Sequence, residues 1–166
     1  AEVSHDCTLE AGVGLAGELA GYCHVMRGAK VMKGVTVHQF TTVGTGAFLA
    51  MGTCVRHDVL PYCIYDGASQ LLDHVALPRL GVTPSQAEEL CAFYEGRLSS
   101  EASCYCLSLD GLLPPAERGV WFAAELERFF AIRASMRDQR LLAPYGQLGG
   151  GAYGGGDRGP VRHRYL

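Results

Sequence analysis

The sequence predicts a β-solenoid, a parallel β-helix built from six-residue repeats, followed by an α-helical C-terminal segment. One observation is a row of aliphatic residues at every sixth position: Val13, Leu19, Val25, Val31, Val37, Val43, Leu49 and Val55. Another is a row of small or β-branched residues two places earlier: Ala11, Gly17, Cys23, Ala29, Val35, Thr41, Ala47 and Thr53. A period of six fits neither an α-helix nor an alternating strand, but it is typical of a solenoid with short strands as walls.

Three such repeats make one coil, and stacked coils should lie about 4.8 Å apart, the spacing of strands in a sheet. The aliphatic side chains should point into the prism, and the small residues should lie at its corners. Each coil would bury its apolar side only against its neighbours, whereas a β-sandwich would show this period in two rows only by chance. We therefore expect residues 1–62 to form about three coils, with these side chains inward: Val25, Val31, Val37, Val43 and Leu49.

A helical domain is expected at 83–140, after a connecting loop at 63–82. Thr83 is a favourable N-cap and Pro84 a favourable first helical residue, which predicts a helix that runs to about Leu98. A second helix is expected after Pro115, running to about Arg140. The predicted apolar faces of the two helices comprise Leu90, Tyr94 and Leu98, and Phe122, Leu126, Phe129 and Phe130. The Gly-rich tail, 141–166, should be disordered by itself.

The composition limits the functional classes. A net charge of −3 gives no reason to expect a nucleic-acid partner, and no apolar run approaches the roughly 18 residues of a membrane span. The seven cysteines are odd in number and several lie among small apolar residues, which favours free thiols in a reducing compartment, either the cytoplasm or an organelle such as a plastid or mitochondrion. The spacing of Cys104 and Cys106 is too tight for a CxxC pair, and the histidines lie too far apart to predict a metal site. The first residues resemble no signal peptide, so we expect an upstream part to be cleaved or missing.

Short motifs resemble one family, the acyl-carrier-protein-dependent UDP-N-acetylglucosamine O-acyltransferases of lipid A biosynthesis. They are His5-Asp6-Cys7, Leu19-Ala20-Gly21, Val37-His38-Gln39-Phe40 and Asp58-Val59-Leu60-Pro61-Tyr62. The resemblance covers about 3–140 and corresponds to the last coils and the helical region. It implies a left-handed parallel β-helix and a homotrimer with active sites between subunits. If His5 is equivalent to the family's histidine, Leu9 and Leu15 point inward in place of Cys7 and Val13.

The resemblance also implies site residues. His5, beside Asp6, would be the general base that deprotonates a sugar hydroxyl, a role suited to imidazole. The Gly21 N–H would stabilise the oxyanion, although a glycine also suits any tight corner. His38 and Gln39 would contact the substrate, and Arg79 would be one of a basic pair that holds the phosphopantetheine or the nucleotide. No cofactor or metal is implied; the acyl donor is the acyl-carrier protein thioester.

The chain departs from the family pattern at several of these positions. The histidine expected after Leu19-Ala20-Gly21 is Tyr22, the histidine expected three residues before His5 is Glu2, and the second basic residue after Arg79 is Leu80. The family's Gly-Asn-x-Ala motif reads Gly67-Ala-Ser-Gln70. Two hypotheses therefore stand together.

The first hypothesis is an O-acyltransferase that transfers an acyl chain from acyl-carrier protein to UDP-N-acetylglucosamine. The second is a catalytically degenerate descendant of that enzyme, a structural subunit of a large, possibly organellar, complex. In the second case, 141–166 would contact other subunits.

Overall fold

The chain winds through four coils along three flat walls, as seen in a computed structural model that describes residues 1–95, 97 and 108–142. Wall A contains β1 (Glu2–Val3), β4 (Glu18–Leu19), β7 (Thr36–Val37) and β10 (Cys54–Val55). Wall B contains β2 (Thr8–Leu9), β5 (His24–Val25) and β8 (Thr42–Val43). Wall C contains β3 (Gly14–Leu15), β6 (Lys30–Val31), β9 (Phe48–Leu49), β11 (Cys63–Tyr65) and β12 (Gln70–Leu72). The predicted fold class, a left-handed parallel β-helix followed by α-helices, is confirmed.

The interior of the prism is filled by the predicted aliphatic row. Val25, Val37, Val43 and Leu49 are fully buried, and Val31 is 1% exposed. Successive side chains of a strand point to opposite faces, so each two-residue strand sends one side chain inward and one outward. The row of aliphatic residues therefore forms a continuous apolar core from coil to coil.

The first coil is two residues shorter than the second, which moves its inward row. Leu9 pairs with Val25 and Leu15 pairs with Val31, each sixteen positions apart, whereas Leu19 pairs with Val37, eighteen apart. The inward residues of the first coil are therefore those expected from the family resemblance, and the simple sixfold reading that placed Val13 in the row is wrong. The shortening lies at Gly17, where a Cβ would come within 2.5 Å of the Val35 carbonyl oxygen.

The coils continue further along the chain than the expected three. The 58–62 segment supplies the second wall of a fourth coil, through a parallel bridge between Val59 and Val43. Wall C then gains β11 in parallel and β12 in antiparallel pairing. The predicted connecting loop, 63–82, thus contains two strands and a 3₁₀ turn at Leu77–Leu80.

The described residues that follow the solenoid include three α-helices: α1 (Pro84–Glu95), α2 (Leu109–Leu112) and α3 (Ala123–Leu142). The predicted N-cap of α1 is present: the Gln86 N–H donates to Thr83 Oγ1, and the Thr83 N–H donates to Gln86 Oε1. This reciprocal pair is a capping box. The Tyr94 hydroxyl donates to the Pro61 carbonyl at 3.1 Å and so ties α1 to the fourth coil.

Both long helices differ in extent from their predictions. Helix α1 ends at Glu95 rather than Leu98, next to Gly96, a residue with poor helix propensity. The second helix does not begin after Pro115; a 3₁₀ turn spans Pro115–Glu117, and α3 begins only at Ala123, after Gly119. The predicted apolar faces are buried where they are described: Leu90, Tyr94, Phe122, Leu126 and Phe129, with Phe130 half-buried. The predictions for Leu98, Cys104, Cys106 and 143–166 lie outside the described residues.

Candidate functional site

The candidate site is the corner between walls A and B, hereafter the first corner, where His5 and Asp6 stand side by side. The chain turns here at Asp6, whose φ is 58°, and the Asp6 carboxylate lies 2.8 Å from His5 Nδ1. An ionised carboxylate can only accept a hydrogen bond, so in the neutral imidazole Nδ1 carries the proton and Nε2 has a free lone pair. The imidazole side chain is 55% exposed. This pair therefore presents a basic nitrogen at an open surface.

Gly21 lies directly beside the imidazole in the second coil. A Cβ added to Gly21 would lie 2.8 Å from His5 Cε1 and 2.9 Å from Nε2. The backbone N–H of Gly21 donates to no acceptor among the described residues, whereas the next residue's N–H donates to the His5 carbonyl at 3.1 Å. The first corner thus places a basic nitrogen next to an available backbone donor.

An aromatic pair continues the corner into the second and third coils, and the sequence analysis did not assign it to the site. The Tyr22 ring meets the His5 ring edge-on, with centroids 5.1 Å apart and planes at 88°. Tyr22 also stacks on Phe40, with centroids 4.8 Å apart and planes at 6°. Tyr22 and Phe40 lie eighteen residues apart, one full coil, which is the signal that could have predicted this contact.

His38 and Gln39 lie on the same corner, in the third coil. His38 is exposed, and its Nδ1 lies 3.1 Å from the Gln39 carbonyl oxygen. A carbonyl only accepts, so Nδ1 is the donor, and in the neutral imidazole Nε2 of His38 can accept a hydrogen bond. Two coils separate these residues from His5, about 10 Å at the spacing of strands. The structure therefore places His38 and Gln39 on the same edge of the prism as His5.

Arg79 lies on a different corner. The 3₁₀ turn Leu77–Leu80 packs on the corner between walls B and C, where the Leu80 side chain covers Gly28 and Gly46 and leaves no room for a Cβ at Gly46. Arg79 itself is exposed. A single chain therefore holds Arg79 and His5 on opposite edges of wall B.

Helix α3 covers wall B through a set of ion pairs that the sequence analysis did not predict. Glu10, on the first coil, accepts hydrogen bonds from Arg128 of α3, from His24 Nε2 at 2.7 Å and from the Arg27 N–H at 3.0 Å. Burial alone would raise the pKa of Glu10, but these hydrogen bonds outweigh it and hold that pKa below its usual value. In the fourth coil, Asp58 accepts a hydrogen bond from the buried Arg133 guanidinium of α3 at 2.7 Å.

Wall A, by contrast, has an outer face that no helix covers among the described residues. Its four outward side chains are all exposed: Glu2, Glu18, Thr36 and Cys54. Because α3 occupies wall B, the open approach to His5 is from the wall A side. The first corner is thus a site at the boundary between a covered wall and a bare one.

The described residues carry few alternatives to this site. The five described cysteines are not in disulfides, and burial raises the pKa of Cys23 to about 12, which makes it a poor nucleophile. No group of three or more His, Cys, Asp or Glu side chains is placed to hold a metal ion in the described part of the chain. None of the described helices is both long enough and apolar enough to cross a membrane.

Sequence comparison relates the chain to one group of enzymes. It is 29% identical over 106 residues to the acyl-[acyl-carrier-protein]–UDP-N-acetylglucosamine O-acyltransferase of Agrobacterium fabrum, covering 61% of this chain and 39% of that protein. The enzyme of the same name from Alkalilimnicola ehrlichii is 33% identical over 97 residues, covering 55% and 38%. The chain thus spans about two fifths of the length of these relatives. No protein-family model matches the chain.

Solved structures give the same result. The UDP-N-acetylglucosamine acyltransferase of Francisella novicida superposes with a TM-score of 0.60 at 26% identity, covering 76% of this chain and 48% of that one. The Arabidopsis UDP-N-acetylglucosamine acyltransferase superposes with a TM-score of 0.52 at 27% identity, covering 77% and 44%. The chain is therefore acyltransferase-like, and in both sequence and fold it resembles the acyl-carrier-protein-dependent UDP-N-acetylglucosamine O-acyltransferases over part of their length.

Proposed function

We propose that the chain is an O-acyltransferase that moves an acyl group from an acyl-carrier protein thioester to a hydroxyl of UDP-N-acetylglucosamine. The observation that supports this most directly is the first corner. His5 Nδ1 is bound to Asp6, Nε2 is left basic, and the Gly21 N–H beside it has no acceptor among the described residues. The substrate classes come from the names of the similar enzymes.

In the proposed reaction, His5 Nε2 removes the proton of the sugar hydroxyl while that oxygen attacks the thioester carbonyl carbon. The carbonyl oxygen becomes an oxyanion, which the Gly21 N–H stabilises. Collapse of this intermediate breaks the carbon–sulfur bond, and the departing thiolate takes the proton back from the imidazolium. Asp6 keeps the imidazole in the tautomer that the first step needs and stabilises the imidazolium that forms.

The remaining predicted residues would bind the nucleotide sugar. His38 and Gln39 follow His5 along the same edge, so an extended substrate lying on that edge would reach both. Arg79 is suited to phosphate as a permanently charged, bidentate donor. Because it lies across wall B from His5, it would act on a substrate held by a second copy of the chain.

The test is to incubate the purified chain with an acyl-carrier protein thioester and UDP-N-acetylglucosamine, and to detect the acylated nucleotide sugar by mass spectrometry. Calorimetry of UDP-N-acetylglucosamine binding is measured on the same sample. We expect both product and binding. A folded sample that gives neither would contradict the proposal.

A second candidate function is a structural subunit that descends from such an enzyme. The contact that favours it is at Leu80, which packs its methyl groups onto the Gly28 and Gly46 corner where the family resemblance implies a second cation. Such a chain would bind other proteins in place of acyl-carrier protein. Failure of both turnover and nucleotide-sugar binding, together with stable copurification with other subunits, would favour this candidate.

A further inference from the structure

Tyr22 occupies a middle position in a row of three rings that runs along the first corner. It stands in the second coil, between His5 of the first coil and Phe40 of the third. Its ring meets the imidazole edge-on at 5.1 Å and lies flat on Phe40 at 4.8 Å. Tyr22 is thus in contact with a protein ring in each of the two neighbouring coils.

The His5 ring needs a contact that fixes its orientation, because more than half of the side-chain surface is in solvent. Asp6 fixes Nδ1 at 2.8 Å, and Gly21 leaves the space into which the ring fits. Neither contact fixes the plane of the ring. The ring can still rotate about a single hydrogen bond, and the missing Cβ of Gly21 only makes room for the ring. The edge-on contact with Tyr22 supplies the third constraint, a geometry that aromatic pairs prefer.

The backbone at Tyr22 makes an aromatic residue an unfavourable choice there. Tyr22 has a φ of 61°, a left-handed conformation that glycine adopts freely and that asparagine tolerates better than an aromatic residue. At the next corner, Gly12, Gly28 and Gly46 take the same conformation in the first three coils. Removal of the Tyr22 ring should therefore relieve backbone strain and should not unfold the chain.

We propose that Tyr22 is a positioning residue for His5: it holds the imidazole in the plane from which Nε2 faces the substrate hydroxyl. This inference rests on the proposed acyltransferase function. A misplaced general base loses much of its effect, and errors of about 1 Å in position can cost up to about 100-fold in rate. Tyr22 touches no reacting atom in this scheme, so the substrate affinity should not depend on its ring.

The first arm of the test is independent of turnover. NMR spectra of the chain labelled at histidine report the ring protons of His5, which the Tyr22 ring current displaces. We compare the wild-type chain with Tyr22→Asn, which keeps the left-handed backbone without a ring, and with Tyr22→Phe, which keeps the ring. Tyr22→Asn should move the His5 resonances, and Tyr22→Phe should restore them; Tyr22→Gly is a second ring-free variant should Tyr22→Asn fold poorly.

The second arm is steady-state kinetics with the acyl-carrier protein thioester and UDP-N-acetylglucosamine. Tyr22→Asn should lower kcat about 10- to 100-fold with KM unchanged, and the conservative Tyr22→Phe should recover kcat. The proposal is overturned if Tyr22→Asn leaves either the His5 resonances or kcat unchanged, or if the loss is in KM alone. If the wild-type chain itself shows no turnover, the proposed function fails, and the resonances alone decide whether Tyr22 holds His5.

Discussion

At the scale of single residues, the first corner depends on having glycine at position 21. Gly21 has no Cβ, and the imidazole of His5 takes the space where one would be. The Gly21 backbone does not adopt a positive φ, so alanine is compatible with the chain conformation there. A substitution of Gly21 by alanine therefore removes the space that the His5 ring needs without straining the backbone of the coil.

Gly21→Ala should displace the His5 ring and lower kcat by about 100-fold, since the base and the adjoining N–H lose their common geometry. The matched control is Gly119→Ala, because no atom lies within 4 Å of a Cβ placed on Gly119. Steady-state kinetics and thermal melts of both variants make the comparison. Equal kcat values in the two variants would show that the Gly21 position is only a corner.

Glu10 is the residue whose charge state should govern the acid stability of the contact with α3. Its folded pKa is lowered from 4.5 by hydrogen bonds that outweigh burial, so its contribution is fully present above the unfolded value. That contribution is lost as the pH falls through the folded pKa. Glu10→Gln should lower the free energy of unfolding at pH 7 by about 1–3 kcal/mol and should flatten its decline below pH 4.5.

Chemical denaturation at several pH values measures both effects. Glu18→Gln, which neutralises an exposed carboxylate on wall A, serves as the control. If the two variants have the same pH dependence, Glu10 does not secure α3 to wall B.

The residues of the first corner could be found in the sequence only by resemblance. His5, Asp6 and Gly21 were named in this way, and the structure brings them together. Tyr22 was recognised only as a departure, because its contact with His5 depends on the first coil being sixteen residues long. The Glu10–Arg128 pair could not have been predicted, since it joins residues 118 positions apart and no local pattern records such a pairing.

At the scale of elements, the strands β4, β6, β7 and β10 each have one residue buried in the core and one exposed to solvent. In β7, Val37 is fully buried and Thr36 is exposed. This difference follows from the two-residue alternation of a strand. Substitutions at Val37 therefore test whether the inward row forms the core, and substitutions at Thr36 in the same strand serve as the control.

Val37→Asp should abolish folding, because it would place an unpaired carboxylate among aliphatic side chains, where neither water nor a counter-charge reaches it. Thr36→Lys should be tolerated, because its charge enters solvent beside Glu18, its partner in the register. Soluble yield and circular dichroism report the outcome. A Val37→Asp variant that melts cooperatively like the wild-type chain would refute the assigned core.

The six-residue period predicted the walls well but not where the coils are shortened. The aliphatic row and the row of small or β-branched residues fit any coil of regular length, whereas the shortening at Gly17 depends on a carbonyl of the next coil, 2.5 Å from where a Cβ would stand. Likewise, Pro114-Pro115 signalled a helix start, yet the chain makes a 3₁₀ turn there. Between this turn and α3, Trp121 packs with Tyr62 and Phe122 packs with Phe93, contacts between distant residues that no local pattern records.

At the scale of the whole molecule, the cation proposed for phosphate and the proposed base lie on different corners of one prism. A closed ring of three copies, a common kind of oligomer, could place the Arg79 corner of one chain beside the His5 corner of the next. The bare outer face of wall A is open for such packing. We therefore predict a homotrimer in sedimentation equilibrium.

Mixing two inactive variants tests the shared site directly. Chains with His5→Ala and chains with Arg79→Ala should each be nearly inactive, and mixed trimers should recover part of the activity at boundaries that carry both native residues. An active monomer, or no recovery after the chains are mixed and reassembled, would contradict a site built from two copies.

The proposed role of His5 as the general base can be tested by comparing three rates. The rate of acyl transfer to UDP-N-acetylglucosamine is measured for the intact chain, for His5→Ala and for His74→Ala, the last of which removes an exposed imidazole far from the first corner. General-base catalysis contributes about 10²- to 10⁴-fold, so His5→Ala should lose that factor while His74→Ala keeps the full rate. A His5→Ala chain that transfers the acyl group as fast as the His74→Ala chain would contradict the account.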